Sequence, residues 1–240
     1  MAFQTVFQRY ELKYLLTGEQ KEKVLHAIGP YMELDEYGRT TIRNIYFDTG
    51  NYRLVRHSIE KPAYKEKLRV RSYSQASPDS TVFVELKKKY RHVVYKRRIS
   101  LPEEEAMDWM LGKRRCRPGT QISEEIDYFL EYYGTLRPAV FLSYDREAFY
   151  CKEPSDFRVT FDDTLLCRQE DLSLESAAYG TPLLPEGRVL MEIKCSGGIP
   201  LWMTHVLSAE HIYRTSFSKY GTAYKTMIFP RLAKEVVHHA

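Results

Sequence analysis

The sequence has no stretch near the roughly 20 consecutive apolar residues that a membrane-spanning helix requires. Its opening run, MAFQTVFQRYELKYLL, meets Arg9 and Glu11 before any long apolar segment, which is not the pattern of a secretory leader. Cysteine is scarce. Cys116, Cys151, Cys167 and Cys195 form no CxxC pair and lack zinc-site spacing, so reduced, buried thiols are expected rather than a disulfide framework. There is no internal repeat and no low-complexity tract, and no histidine has a catalytic setting. Charge is nearly balanced: 36 Lys and Arg against 32 Asp and Glu give +4. That value alone implies no polyanionic partner; the placement of the charges decides. The expectation is one soluble, cytoplasmic domain over residues 1–240, long enough to bury a substantial core.

Aromatic residues are plentiful. Nineteen Tyr and eleven Phe favour strands, because rings pack well on a pleated surface. Strand patterns run over Thr5–Leu15, Thr40–Phe47, Tyr64–Tyr73, Thr81–Leu86, His92–Leu101, Val140–Tyr150, Phe157–Asp162 and Val189–Cys195. Five helices interrupt them. Thr17 to Gln20 has capping-box spacing, followed by Val24, Leu25, Ile28 and Met32 at helical intervals. A short helix starts after Ser100-Leu-Pro and runs through Met110 and Leu111. Others cover Ile122–Tyr133, stopped by Gly134, then Leu201–Ile212 and Phe217–Ile228, the last ending near Pro230. Helices that interrupt the strands rather than alternate with them predict an antiparallel α+β fold, not a doubly wound parallel sheet.

Side chains two apart on a strand share a face. By that rule Arg69 and Arg71 lie together, opposite Leu68 and Val70. Glu85 pairs with Lys87, Lys96 with Arg98, Tyr144 with Arg146, Arg158 with Thr160 and Asp162, Glu192 with Lys194, and Glu11 with Lys13. One wet, charged face per strand would account for any single case. Taken together the faces are dominated by Arg and Lys, and like charges opposed across a sheet destabilise it unless a counter-anion is present. A closed or nearly closed antiparallel sheet of about eight strands, a barrel or tunnel, would gather them into one lumen, where about eight cationic groups would surround a chain of phosphates. Glu192, mid-strand between apolar neighbours, is the candidate metal ligand, with an ion pair to Lys194 or an arginine as the competing role. Glu85 and Glu11 are weaker candidates. In the run Lys87-Lys-Lys-Tyr-Arg91, Lys87 is expected inside and Lys88, Lys89 and Arg91 on a solvated hairpin end.

The chain resembles the polyphosphate polymerase (VTC, vacuolar transporter chaperone) domain, within the triphosphate tunnel group. The pieces that carry this run from Arg9-Tyr-Glu-Leu-Lys-Tyr14 through Ile45-Tyr-Phe-Asp48, Lys67-Leu-Arg-Val-Arg71, Phe83-Val-Glu-Leu-Lys87, Lys96-Arg-Arg98, Ser143-Tyr-Asp-Arg146, Arg158 and Met191-Glu-Ile-Lys194 to Phe217-Ser-Lys-Tyr220. The resemblance implies a β-tunnel with peripheral helices that uses ATP and a divalent metal, Mn²⁺ or Mg²⁺, to extend polyphosphate. It assigns phosphate contacts to Lys13, Arg69, Arg71, Lys87, Lys96, Arg98, Arg146, Arg158, Lys194 and Lys219, with Tyr144 and Ser218 as neutral donors and Glu192 on the metal. The catalytic set among these would be Lys13, Arg69, Arg71, Lys87, Arg146, Arg158 and Glu192.

One departure stands out: Arg9 occupies the place of the first Glu in the Glu-x-Glu-x-Lys strand of the broader group. That removes a metal-binding carboxylate and favours polymer binding over two-metal hydrolysis. A triphosphatase or nucleoside triphosphatase, and a non-catalytic polyphosphate-binding module, are the other readings. Nucleic-acid binding through Tyr64, Tyr73 and Tyr90 is disfavoured, since the basic residues alternate inward rather than forming an open patch. A stand-alone catalytic domain is expected, with a membrane partner left open.

Overall fold

A computed structural model describes residues 10–91, 93–115 and 119–238, with side chains through residue 234. Arg9, His92 and Cys116 lie outside the described residues. The strands in chain order are β1 (Tyr10–Thr17), β2 (Met32–Leu34), β3 (Thr40–Thr49), β4 (Tyr64–Ser72), β5 (Thr81–Tyr90), β6 (Val93–Pro102), β7 (Leu136–Cys151), β8 (Arg158–Arg168), β9 (Thr181–Pro182), β10 (Arg188–Cys195) and β11 (Arg214–Thr215). The helices are α1 (Gly18–Ile28), α2 (Arg53–Ile59), α3 (Glu103–Met110), α4 (Gln121–Tyr133), α5 (Leu201–Ala209), α6 (Lys219–Ala223) and α7 (Phe229–His238), the last two joined by a π turn over Tyr224–Ile228.

The strands form one antiparallel sheet in the order β11-β1-β10-β8-β7-β3-β4-β5-β6, with β2 added to β7 and β9 to β8. Its eight long members are the eight strands read from the sequence. The sheet curls into a tunnel but does not close by backbone hydrogen bonds: β6 and β11 are the ends of its path among the described residues. Two register shifts help it bend, at Tyr46/Phe47 against β7 and at Ser143/Asp145 against β8. The first falls beside Pro138, which lacks an N–H for the ladder, and so lets β7 begin at Leu136 rather than Val140. At the second, Thr164 takes a positive φ of 46°, and β8 continues past Asp162 to Arg168.

Outside the tunnel, α3 and α4 cover Leu68, Val70, Val84 and Leu86 of β4 and β5 with Ala106, Trp109, Ile126 and Phe129. On the far wall, Val24 and Ile28 of α1 and Met203 and Leu207 of α5 pack on Leu16, Phe161, Met191 and Ile193. The C-terminal helical run stops one part of the lumen: Tyr220, Ala223, Tyr224 and Ile228 pack with Tyr46, Val140, Leu142, Tyr144 and Leu190.

Four sequence expectations need correction. Helix α1 ends at Ile28 before Gly29-Pro30, and Met32 belongs to β2. Helix α5 ends at Ala209, three residues short of Ile212. The last helical run starts at Lys219, with Ser218 as its N-cap, rather than at Phe217. It also passes Pro230 and continues to His238, because the proline falls in the first turn of α7, directly after the wider π turn, where a missing N–H costs little. The described cysteines, Cys151, Cys167 and Cys195, are free thiols. No helix among the described residues is long and apolar enough to cross a membrane.

Candidate functional site

Strand alternation sends one face of every long strand into the lumen, and the register sets those side chains in rows. Lys67, Lys87 and Lys96 stand opposite one another on β4, β5 and β6, and Lys65 stands opposite Lys89. The next row reads Arg69, Glu85, Arg98. On the facing wall Lys13, Glu192 and Thr160 align across β1, β10 and β8, as do Glu11, Lys194 and Arg158. The enclosed cavity is about 1190 Å³, and its described lining holds sixteen Lys and Arg side chains against four acidic ones. A wall of directly opposed lysines is unfavourable by itself and is relieved by a multiply charged anion.

The residues that the resemblance assigns to phosphate and metal all lie on this lining: Lys13, Arg69, Arg71, Lys87, Lys96, Arg98, Tyr144, Arg146, Arg158, Glu192, Lys194, Ser218 and Lys219; Glu85, a weaker metal candidate, is buried and does not. Arg71 donates to Asn44 Oδ1 and to the Tyr144 hydroxyl, both at 2.9 Å, which fixes its guanidinium plane. Arg158 lies 4.0 Å over the Tyr150 ring and donates to its hydroxyl. Arg98 lies 4.8 Å over Phe83. Stacking of this kind holds the plane of an arginine's guanidinium in the lumen wall.

The carboxylates sit at the base of the basic wall as fixed counter-charges. Glu85 is fully buried, bound by Arg69 at 2.6 Å and 3.6 Å from Lys96. Burial alone would raise its pKa, but Arg69, Arg71 and Lys96 hold it well below the usual carboxylate range. Asp162, also fully buried, takes both arms of Arg146 at 2.6 Å and Lys219 at 2.6 Å. Glu192 lies 3.3 Å from both Lys13 and Lys194 and 3.5 Å from Lys219. Burial opposes its ionisation, yet those lysines keep it well below its ordinary value. Lys219 is pushed up to about 12, since Asp162 and Glu192 outweigh the burial that lowers it.

The sheet ends are bridged by side chains. Lys87 on β5 reaches Glu11 on β1 at 2.8 Å, and Glu11 falls to about 2 because Lys87 and its neighbours overcome burial. Lys67 donates to the Ser218 hydroxyl at 2.8 Å, and Lys13 to the Phe217 carbonyl at 2.9 Å. The Ser218 hydroxyl also accepts the Gly221 N–H, so one side chain caps α6 and faces the lumen.

Sequence reasoning left several site residues without a role. Lys67 appeared only as part of a motif, although it lies two before Arg69 on the same face; the alternation rule, run one step further, finds it. Lys89, placed on a solvated hairpin end, instead lines the cavity. Asp162 was noted as a face-mate of Arg158, but its clamp on Arg146 and Lys219 depends on the β7–β8 register and on α6, which no local pattern reveals.

A model of the VTC domain matches residues 8–228. The chain belongs to the VTC domain family. No curated protein matches it in sequence. Among solved structures this VTC domain is similar to a candidate adenylate cyclase from Bacillus halodurans, at TM-score 0.57 and 14% identity over 90% of this chain and 96% of the other. It is also similar to a candidate adenylyl cyclase from Hippeastrum described by a dominant triphosphatase activity, at TM-score 0.52 and 13% identity over 92% and 96% of the two chains. The fold is the triphosphate tunnel: a barrel-like antiparallel sheet with peripheral helices, as the strand pattern predicts.

Among the described residues no three His, Cys, Asp or Glu groups gather to hold a metal unaided. Mg²⁺-like ions, however, commonly take one or two carboxylates and complete their shell with substrate phosphates. Of the carboxylates here, Glu192 lies on the cavity lining, while Asp162 is buried behind it with both oxygens bound by Arg146 and Lys219. Opposite Glu192, the Thr160 hydroxyl is buried without a hydrogen-bond partner, leaving an oxygen for a ligand or its water.

Proposed function

We propose that this VTC domain is a metal-dependent polyphosphate polymerase that moves the ATP γ-phosphoryl group onto the end of a polyphosphate chain in the tunnel. The observation that carries the reading is the cavity lining, sixteen basic side chains against four acidic ones, built from directly opposed lysine and arginine rows. In the reaction a terminal polyphosphate oxygen forms a bond to the γ-phosphorus as the bridge to the β-phosphate breaks, and ADP leaves with that bridging oxygen. The acceptor is already an anion, so no general base is required; the protein's work is positioning and charge stabilisation. Arg69, Arg71, Arg146 and Arg158 would neutralise the equatorial oxygens of the transferring group. Lys13, Lys87, Lys96, Arg98, Lys194 and Lys219 would hold the phosphates on either side, with Tyr144 and Ser218 as neutral donors. Glu192, with Asp162 behind it, would hold Mn²⁺ or Mg²⁺, whose positive charge would offset that gathering on the donor phosphates.

The Hippeastrum protein, with its dominant triphosphatase activity, has the same fold and supports a second reading, in which water takes the phosphoryl group. Adding a short polyphosphate primer to an ATP turnover assay separates the two. A polymerase releases ADP faster with primer and little orthophosphate; a triphosphatase releases orthophosphate, and primer competes with ATP.

A further inference from the structure

The outer face of the sheet also holds a buried cation. Arg43 on β3 follows Ile42, which lines the lumen, so alternation turns Arg43 outward, to the face where Ile45, Val70 and Phe141 join the outer core. It is only 9% exposed, yet it forms no ion pair among the described residues. Its Nη1 donates to the Thr41 carbonyl at 3.3 Å, while its Nε–H is buried without an acceptor. Along the register Arg43 stands between two serines, Ser72 on β4 and Ser143 on β7. The Ser72 hydroxyl donates to the Ser74 carbonyl at 2.6 Å, but the Ser143 hydroxyl, 1% exposed, has no partner. Asp145, the acid in the next row, is already engaged: Oδ1 accepts the Thr41 hydroxyl at 2.7 Å and Oδ2 accepts Arg39 at 3.3 Å. Arg168, paired with Phe141, brings a second positive charge, and its own donors are taken by the carbonyls of Asp171, Ala177 and Tyr179. Burial, above all, pulls the Arg43 guanidinium below its ordinary value; Asp145 opposes that and Arg168 adds to it.

A buried charge with an unused donor, beside an unused hydroxyl and a second arginine, is unfavourable until an anion completes it. We propose that Arg43 and Ser143 form a second anion site, outside the tunnel, that takes one orthophosphate ion. A guanidinium edge matches the oxygens of a phosphate, and the enclosure of Arg43 suits a single small ion rather than a polymer. A phosphate that keeps a proton at neutral pH both accepts from Arg43 and donates to the Ser143 oxygen, which sulfate cannot do. Both unused atoms are closed to solvent in the empty protein, so the ion enters with a shift of the Arg43 side chain. The site lies back to back with Arg71 in the lumen, which is held by Asn44 and Tyr144, the chain neighbours of Arg43 and Ser143.

The test is calorimetric titration of orthophosphate into the whole chain with the tunnel saturated by tripolyphosphate, and with sulfate as the comparison ion. One phosphate is expected to bind, more tightly than sulfate. R43M is expected to weaken phosphate about tenfold or more, and S143A to weaken it severalfold, with tripolyphosphate affinity unchanged in both. Thermal unfolding in phosphate-free buffer separates binding from structure. Methionine keeps the apolar stem and removes the unpaired charge, so R43M should melt no lower than the wild type. Wild-type protein that takes up no phosphate beyond the tunnel, or phosphate binding that survives R43M, would overturn the site. So would an R43M protein that melts well below the wild type, since Arg43 would then be a structural group. Sulfate binding as tightly as phosphate would overturn the choice of orthophosphate. If tripolyphosphate itself does not bind, the tunnel reading fails, and the same R43M comparison without it still decides the outer site.

Discussion

At the scale of single residues, the tunnel keeps its many cations in place with a few carboxylates buried beneath them. Glu85 shows the energetic consequence. Replacing it with Ala takes this counter-charge from Arg69 and Lys96, and losing one partner of a buried pair costs about 3 kcal/mol or more. Urea unfolding should show that loss; a change below about 0.5 kcal/mol, the range of ordinary surface substitutions, would mean the pair is not structural. Lys67 carries a different signature. Burial, followed by Lys13 and Lys87, lowers it from 10.5 to about 7. An unfolded chain keeps that proton up to about 10.5, so Lys67 makes the empty protein more stable as pH rises from 7 towards 10.5. A phosphate chain beside it favours the charged form, so binding at pH 8 should draw in a proton, and affinity should fall as pH rises above 7. Calorimetry in two buffers of different ionisation enthalpy measures that uptake, which K67M should reduce. Identical heats in both buffers with wild-type protein would contradict the shift. The individual cations were legible because alternation marks them; the carboxylate clamps were not, because Asp162 meets Lys219 from 57 positions away.

At the scale of elements, the eight long strands were legible because each carries an alternating face and a turn signal. What escaped was held together from a distance. Helix α2 has Tyr52 as its N-cap residue, in a left-handed conformation and making no side-chain cap bond. Its first turn is satisfied by Asp48, at the end of β3, which accepts the Leu54 and Val55 N–H groups at 2.9 and 3.0 Å and the Tyr220 hydroxyl at 2.8 Å. One buried carboxylate thus ties β3, α2 and the C-terminal helical run together. D48A should cost about 3 kcal/mol, since it removes a helix cap and leaves a buried hydroxyl unpaired. Hydrogen exchange should then quicken first in α2; uniform exchange across the molecule would argue against a local role. The short strands β2, β9 and β11 were invisible for a related reason: two or three residues carry no periodicity, and pairing with a longer neighbour defines them.

At the scale of the whole molecule, a net charge of only +4 conceals strong segregation. Sixteen of the 36 basic residues line the lumen against four acidic ones, so the protein pays for their repulsion until an anion enters. Tripolyphosphate should therefore raise the melting temperature: at a hundredfold excess over Kd the gain is about 2.7 kcal/mol. Sodium chloride should erode that gain by screening the ion pairs at the mouths. A melting temperature indifferent to tripolyphosphate would mean that the lumen does not bind it. The most direct measurement of the central claim is product analysis after incubating purified protein with ATP and Mn²⁺, with a gel stained for polyphosphate beside an orthophosphate assay. The account predicts a metal-dependent polymer ladder with little orthophosphate, abolished in R71A and in R146A. Orthophosphate without polymer, or a ladder that persists in both variants, would contradict it.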